Sequence, residues 1–153
     1  KRQDDVYIAS SHSIALEEFT TALRRHFDLK VLGTPRQLLG IQIQWGDNFS
    51  AVNLSASKLI KELIDEHQPR EDEIRKTPME PDYRPTKANY PSEEEQRKPE
   101  MKKLKQDYQE LGGSYIFIMN TCRPDIAYSV SQLCRRMANP SKGDWTAAIN
   151  VLH

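Results

Sequence analysis

A chain of 153 residues has the length of one domain or two small lobes. Lys plus Arg and Asp plus Glu both number 22, so the formal net charge is zero and bulk charge gives no argument for nucleic acid; any such surface has to be local. Hydrophobic residues make up 37% and the mean hydropathy is -0.74, no apolar run reaches the roughly 20 residues a membrane helix needs, and Lys1-Arg2 leads into acids, so neither a membrane partner nor a signal peptide is expected.

Taken in order, the chain begins with the adjacent carboxylates Asp4 and Asp5, followed by the β-prone run Val6 to Ala9, read as a short strand. Carboxylates at a strand end suit Mg²⁺, a hard cation that prefers oxygen ligands, while Asp is also common in solvated turns. Ser11 and Ser13 offer N-caps for a helix of about four turns ending near Phe27. Ala15, Phe19, Leu23 and Phe27 recur at helical spacing and predict an aromatic stripe packed on a sheet. A turn at Leu32-Gly33-Thr34-Pro35 leads to a β-hairpin, with one strand through Leu38, Leu39, Ile41 and Ile43 and the other from Ala51 to Leu54. Gly40 inside the first strand calls for a bulge or a close backbone approach.

Ser55 caps a further helix through about Glu66, with Leu59, Ile60, Leu63 and Ile64 on one stripe. Lys58 and Lys61 lie on its wet face, where they could meet a phosphate. From Pro69 to Glu100 the composition shifts: six of the nine prolines fall here among mixed charges, as in a linker or an extended, partly ordered connection. A helix from about Lys102 to Asn120 follows, with Gly112-Gly113 signalling a close approach or a break, each glycine costing roughly 1 kcal/mol relative to alanine. Pro124 starts the next helix, with Ile126, Val130, Leu133 and Met137 as its buried stripe. Ser141 and Asp144 read as a capping box opening a last helix through Trp145, Ala148, Ile149 and Leu152. The histidines show no metal-ligand spacing, and Cys122 and Cys134 fit reduced thiols in an intracellular protein, cytoplasmic or nuclear.

The order of these motifs resembles the C-terminal part of a Ty1/copia-type retrotransposon reverse transcriptase. The resemblance is carried by Asp4-Asp5-Val6-Tyr7-Ile8-Ala9, by Leu32-Gly33 and Leu39-Gly40-Ile41-Gln42-Ile43, and by Leu54-Ser55 with Lys58-Leu59-Ile60. It continues through Thr77-Pro78-Met79-Glu80-Pro81, then Tyr108, Leu111, Gly113 and Ser114, and ends on Thr121, Arg123-Pro124-Asp125-Ile126-Ala127-Tyr128, Asn139-Pro140 and Trp145. It implies an α+β fold: a partial palm of short strands, a hairpin and a helix over 1–54, a thumb-like helix over 55–68, the Pro- and charge-rich linker 69–100, and a helical thumb-like region over 101–153.

The same resemblance implies that Asp4 and Asp5 are catalytic and bind Mg²⁺ or Mn²⁺ for two-metal nucleotidyl transfer. Leu39, Gly40 and Ile41 would fall in a primer-grip-like hairpin. Lys58, Arg123, Arg135 and Arg136 are the candidates for nucleic-acid contact, through the backbone rather than the bases. Implied partners are a template–primer duplex and the remainder of the Pol polyprotein, and exposed strand edges leave self-association open. Arg2 and Gln3 stand where the family has Tyr and an apolar residue. The family's fingers and its palm strand with the first metal-binding aspartate have no counterpart in the sequence, so the chain by itself is expected to lack polymerase activity. The alternative is a non-catalytic, transposon-derived remnant acting as a nucleic-acid-binding or protein-interaction module. A primer-extension assay with Mg²⁺ or Mn²⁺ is expected to give no synthesis; robust synthesis abolished by Asp4→Asn would overturn that expectation.

Overall fold

The computed structural model describes residues 6–69, 77–81, 83, 84, 86 and 89–152. The chain divides into two compact units, Lys1–Pro35 and Arg36–His153.

In the first unit, the run of helix formers after His12 makes α1, Ser13–Arg24. Neither serine caps it: His12 is the N-cap and makes no side-chain capping bond, while Ser11 hydrogen-bonds the His12 ring. The helix stops at Arg24 and the chain turns through His26 and Phe27, whose amides reach the Leu23 carbonyl. Two expectations are corrected here. Val6–Ala9 forms no strand among the described residues, and its side chains are exposed. The aromatic stripe of α1 is not core either: no residue of the helix is buried, and Phe19 and Phe27 remain 48% and 62% exposed. The described part of this unit holds no sheet against which the stripe could pack.

The second unit opens on a three-stranded antiparallel sheet in the order β1 (Gln37–Leu38), β2 (Ile41–Trp45), β3 (Val52–Ser55). The hairpin β2–β3 stands where the alternation put it, with Ile43 opposite Leu54 and Trp45 opposite Val52. The first strand, however, begins only at Ile41. Leu38 pairs directly with Ile41, so Leu39 and Gly40 are the two residues of a tight turn, both at positive φ (48° and 85°). That pattern belongs to the two-residue turns whose twist matches the flanking strands, and it explains Gly40 without a bulge. Ile41, Ile43 and Trp45 share one face by the two-residue strand period. Ile41 at the sheet's inner end is buried, whereas Trp45 and Val52 at the far end are exposed.

α2, Ser57–His67, packs on β2 and brings Leu63 to the core; its N-cap is Ala56, and Ser55 instead bonds the Ser57 hydroxyl at 2.6 Å. α3, Glu93–Arg97, is one short turn closed by a capping box between Ser92 and Glu95. The main element is α4, Pro99–Thr121, which starts at Pro99 because proline suits the first helical position. Gly112-Gly113 neither breaks nor kinks the run. A Cβ at Gly112 would collide with the Met137 side chain, so this glycine is a notch for a neighbour's side chain, while Gly113 faces open space.

After α4, a 3₁₀ turn over Pro124–Ile126 leads into α5, Ala127–Cys134, and α6, Lys142–Asn150. Ile126, Val130 and Leu133 are buried as the periodicity requires, with Met137 partly so. Two tyrosines of α4 fasten these helices: Tyr108 Oη donates to the Leu133 carbonyl at 2.9 Å and Tyr115 Oη to the Ala148 carbonyl at 2.7 Å. The fold is thus α+β, with the sheet small and the helices dominant. Because Leu39 holds a left-handed φ that favours Asn or Gly, Leu39→Asn is expected to stabilise by on the order of 1 kcal/mol, and Gly40→Ala to destabilise by a similar amount. Thermal melts of the two variants check both signs.

Candidate functional site

The residues singled out from sequence do not converge. Asp4 and Asp5 lie outside the described residues. Among the described residues no group of three or more His, Cys, Asp or Glu is placed to hold a metal ion, so the magnesium expectation rests on those two carboxylates. Leu39 and Gly40 form the β1–β2 turn, with Leu39 75% exposed, whereas the neighbouring Ile41 is buried core. Lys58 is exposed on α2, 3.9 Å from Glu62 one turn on, a pairing that surface solvation leaves weak.

The stretch Thr121 to Tyr128 gains a physical meaning. Thr121 Oγ1 donates back to the Phe117 carbonyl at 2.7 Å, closing the end of α4. Arg123 forks onto Asp125, with Nε to Oδ1 at 2.8 Å and Nη2 to Oδ2 at 2.7 Å. Pro124 then starts the 3₁₀ turn and Ile126 drops into the core. The Arg123 hydrogen bonds hold the Asp125 carboxyl below the usual carboxylate range. Arg123 is therefore committed to a local pair, although its side chain remains half exposed.

Arg135 and Arg136, adjacent in sequence, part company at the end of α5. Arg135 is exposed and Arg136 is 3% exposed. Arg136, a candidate for phosphate contact from sequence, turns inward: its Nε donates to Asp144 Oδ2 at 3.2 Å, and its guanidinium lies 3.7 Å from the centroid of the Tyr90 ring. Asp144 is itself buried and collects donors from three directions. Ser141 N and Oγ reach Oδ2 at 2.7 and 2.8 Å, completing the expected capping box, and Tyr83 Oη donates to Oδ1 at 2.5 Å. Burial alone pushes the Asp144 carboxyl up. The Tyr83 hydroxyl, the Ser141 donors and the Arg136 guanidinium together outweigh it, so the group titrates below the usual range. Burial, then the hydrogen bond to Asp144, pushes the Tyr83 phenol well above its ordinary value.

Sequence reasoning found only one edge of this cluster. Ser141 and Asp144 carried the capping signature, whereas Tyr83 and Tyr90 sit in the proline-rich stretch and Arg136 looked like any helix-surface cation. Met79 from the same stretch is buried in the core and Tyr83 packs against it, while most other described residues of the stretch are exposed. One concavity is an open hollow lined by six consecutive residues, Arg24 to Leu29. Cys122 and Cys134 are free thiols, and burial pushes the Cys134 thiol up. Among the described residues no helix is long and apolar enough to cross a membrane.

Removing one partner of a buried pair leaves a charge without compensation, so Asp144→Ala is expected to cost about 3 kcal/mol or more in denaturant unfolding. A carboxyl depressed in the folded state stabilises above its unfolded pKa of about 3.9 and loses that contribution as pH falls through its folded value. The acid limb of the wild-type stability curve should therefore flatten in Asp144→Asn, as read by unfolding from pH 6 downwards.

No protein-family model matches the chain, and no solved structure matches it. Curated relatives do. The chain is 28% identical, over 97% of its length, to the retrovirus-related Pol polyprotein from transposon TNT 1-94 of Nicotiana tabacum, of which it spans 11%. It is 27% identical over 97% of its length to a Ty5-1 transposon protein of Saccharomyces cerevisiae, spanning 45% of that protein. It is 28% identical to an uncharacterized mitochondrial protein of Arabidopsis thaliana, spanning 57% of it. The chain thus covers less than two thirds of each of these relatives. Nearly every residue of it aligns with transposon sequence, which supports an origin in a retrotransposon Pol polyprotein.

Proposed function

We propose that this chain is a palm-to-thumb portion of an RNA-directed DNA polymerase from a copia-type retrotransposon. The observation that carries the reading is the similarity to transposon Pol sequence over 97% of the chain, in the motif order that ends on Arg123-Pro124-Asp125-Ile126-Ala127-Tyr128. In the full enzyme Asp4 and Asp5 would hold Mg²⁺ or Mn²⁺, which would polarise the attacking and leaving oxygens of an in-line displacement. The turn at Leu39-Gly40 and the buried Ile41 would set a primer terminus. Exposed Lys58 and Arg135, with the half-exposed Arg123, would contact the phosphates of a template–primer duplex, and the remainder of the Pol polyprotein would complete the active site.

A second reading, a non-catalytic remnant that binds nucleic acid or protein, is favoured by one observation. Val6 to Ala9, which should form the strand behind the acidic pair, is exposed and forms no strand among the described residues. Binding of the chain to an RNA–DNA hybrid across a salt series tests the nucleic-acid role that the polymerase reading requires. Affinity is expected to fall with salt, and Arg135→Ala should reduce the slope of log K against log salt by about 0.9, one phosphate contact. A flat salt response, or no binding, counts against the proposal. Primer extension by the chain joined to the upstream Pol segment, with Asp4→Asn as control, separates the polymerase from the remnant.

A further inference from the structure

The small sheet ends on an open edge. β3 is the outer strand of the order β1-β2-β3, and among the described residues no strand pairs beyond it. Ladder bonds in an antiparallel pair alternate from one facing pair of residues to the next. Gly46 N–H donates to the Ala51 carbonyl, so Asn53 and Ser55 turn their backbone groups toward β2 while Val52 and Leu54 turn theirs outward. The other side of β2 agrees, since Ile43, opposite Leu54, donates to the Arg36 carbonyl just before β1. Folded proteins ordinarily blunt such an edge with lysine, proline or a bulge. β3 has none of these: its register with β2 is continuous, and from Ile41 to Ser55 there is no proline and the only charge is Asp47 in the turn. β1, at the opposite edge, is two residues long and adjoins Pro35-Arg36.

We propose that β3 pairs antiparallel with β3 of a second copy of this chain, about a two-fold axis at Asn53. A two-fold contact needs a surface complementary to itself, and a charged edge would repel its own copy; this edge carries no charge. With the axis at Asn53, Val52 of each copy faces Leu54 of the other. These are the residues whose N–H and C=O groups point outward, so each pair exchanges both ladder bonds. An axis at Val52 would set Leu54 against Ser50, and one at Leu54 would set Val52 against Ala56, which has left the strand. The side chains fit the same register. Val52 and Leu54, 48% and 45% exposed, lie on the face of Ile43 and Trp45, so the apolar strip continues across the axis. Asn53, on the opposite face with Gln44, meets its own copy through an amide that both donates and accepts. A four-residue edge buries little surface, so the dimer is weak and forms as concentration rises.

Sedimentation equilibrium of the whole chain reads the association: the weight-average mass should rise from 17.7 kDa toward twice that value as concentration increases. Asn53→Lys, at an exposed position, sets like charges across the axis and should weaken association by about tenfold or more. Gln44→Lys puts the same charge on the same face one strand inward and should change it by less than about threefold. Asn53→Asp alone should weaken association as Asn53→Lys does. An equimolar mixture of the two should recover it to within about threefold of wild type, because opposite charges then meet at the axis. Amide hydrogen exchange gives a readout on the unaltered chain. The Val52 and Leu54 amides should slow as concentration rises, while the Asn53 amide, turned toward β2, should not. A mass that stays at 17.7 kDa throughout the series would overturn the proposal and leave the edge to a strand of another protein. So would association that Asn53→Lys leaves intact, or a mixture of the two variants that recovers nothing. Exchange at Val52 and Leu54 that ignores concentration would overturn it as well, and decides the matter on wild type should the variants fail to fold.

Discussion

One carboxylate holds the corner of the helical unit together. Asp144 closes the first turn of α6 through Ser141, neutralises an arginine at the end of α5 and receives a phenol from a stretch about sixty residues earlier in the chain. A single buried charge on this scale is expensive to desolvate. Its tolerance depends on donors reaching both oxygens, and three segments supply them at the same point. The cap is local, but the arginine and the phenol are not. A feature that begins as helix punctuation thus becomes a tertiary tie.

α4 complements this tie from the other side. Its buried face offers Tyr108 and Tyr115, whose rings fill the core while their hydroxyls travel outward to backbone carbonyls of α5 and α6. A buried tyrosine stabilises only if its hydroxyl finds an acceptor, and each of these carbonyls takes it as a second donor beside its helix-capping amide. The two tyrosines therefore fix two helices against a third with orientation as well as contact. The small sheet and α2 extend the same cluster through Ile41, Ala56 and Leu63.

Much of this was legible in the sequence where the signal is periodic. The stripe Ile126, Val130 and Leu133, the hairpin alternation through Ile43 and Leu54, and the Ser141–Asp144 box all follow from repeats of 3.6 or 2 residues, or from a cap spacing. What was not legible is partner choice. Arg136 and Arg135 differ by one residue, or 100° of helix, and nothing in composition says which of the two turns inward. Tyr83 and Tyr90 belong to a stretch whose prolines conceal their role, since proline marks where regular structure fails rather than where packing stops. Leu39-Gly40 was read as strand because an apolar leucine sits where a turn would ordinarily place asparagine. The backbone accepts it at positive φ because the registers of β1 and β2 leave no other residue for the turn. Phe19 and Phe27 show the converse: a clean periodicity states that a face wants burial, not that its own unit supplies a surface.

The notch at Gly112 has a mechanical meaning as well as a steric one. The Met137 side chain enters the space a Cβ would fill, and one turn earlier on the same helix Gln109 donates to the Met137 carbonyl at 3.0 Å. Met137 is thereby gripped by both its side chain and its backbone, from a single stretch of α4. The residue immediately before it is Arg136. The long helix thus contacts the chain just past the end of α5, beside the arginine that reaches the Asp144 carboxylate. A glycine that lowers the intrinsic helicity of α4 also leaves room for the Met137 side chain.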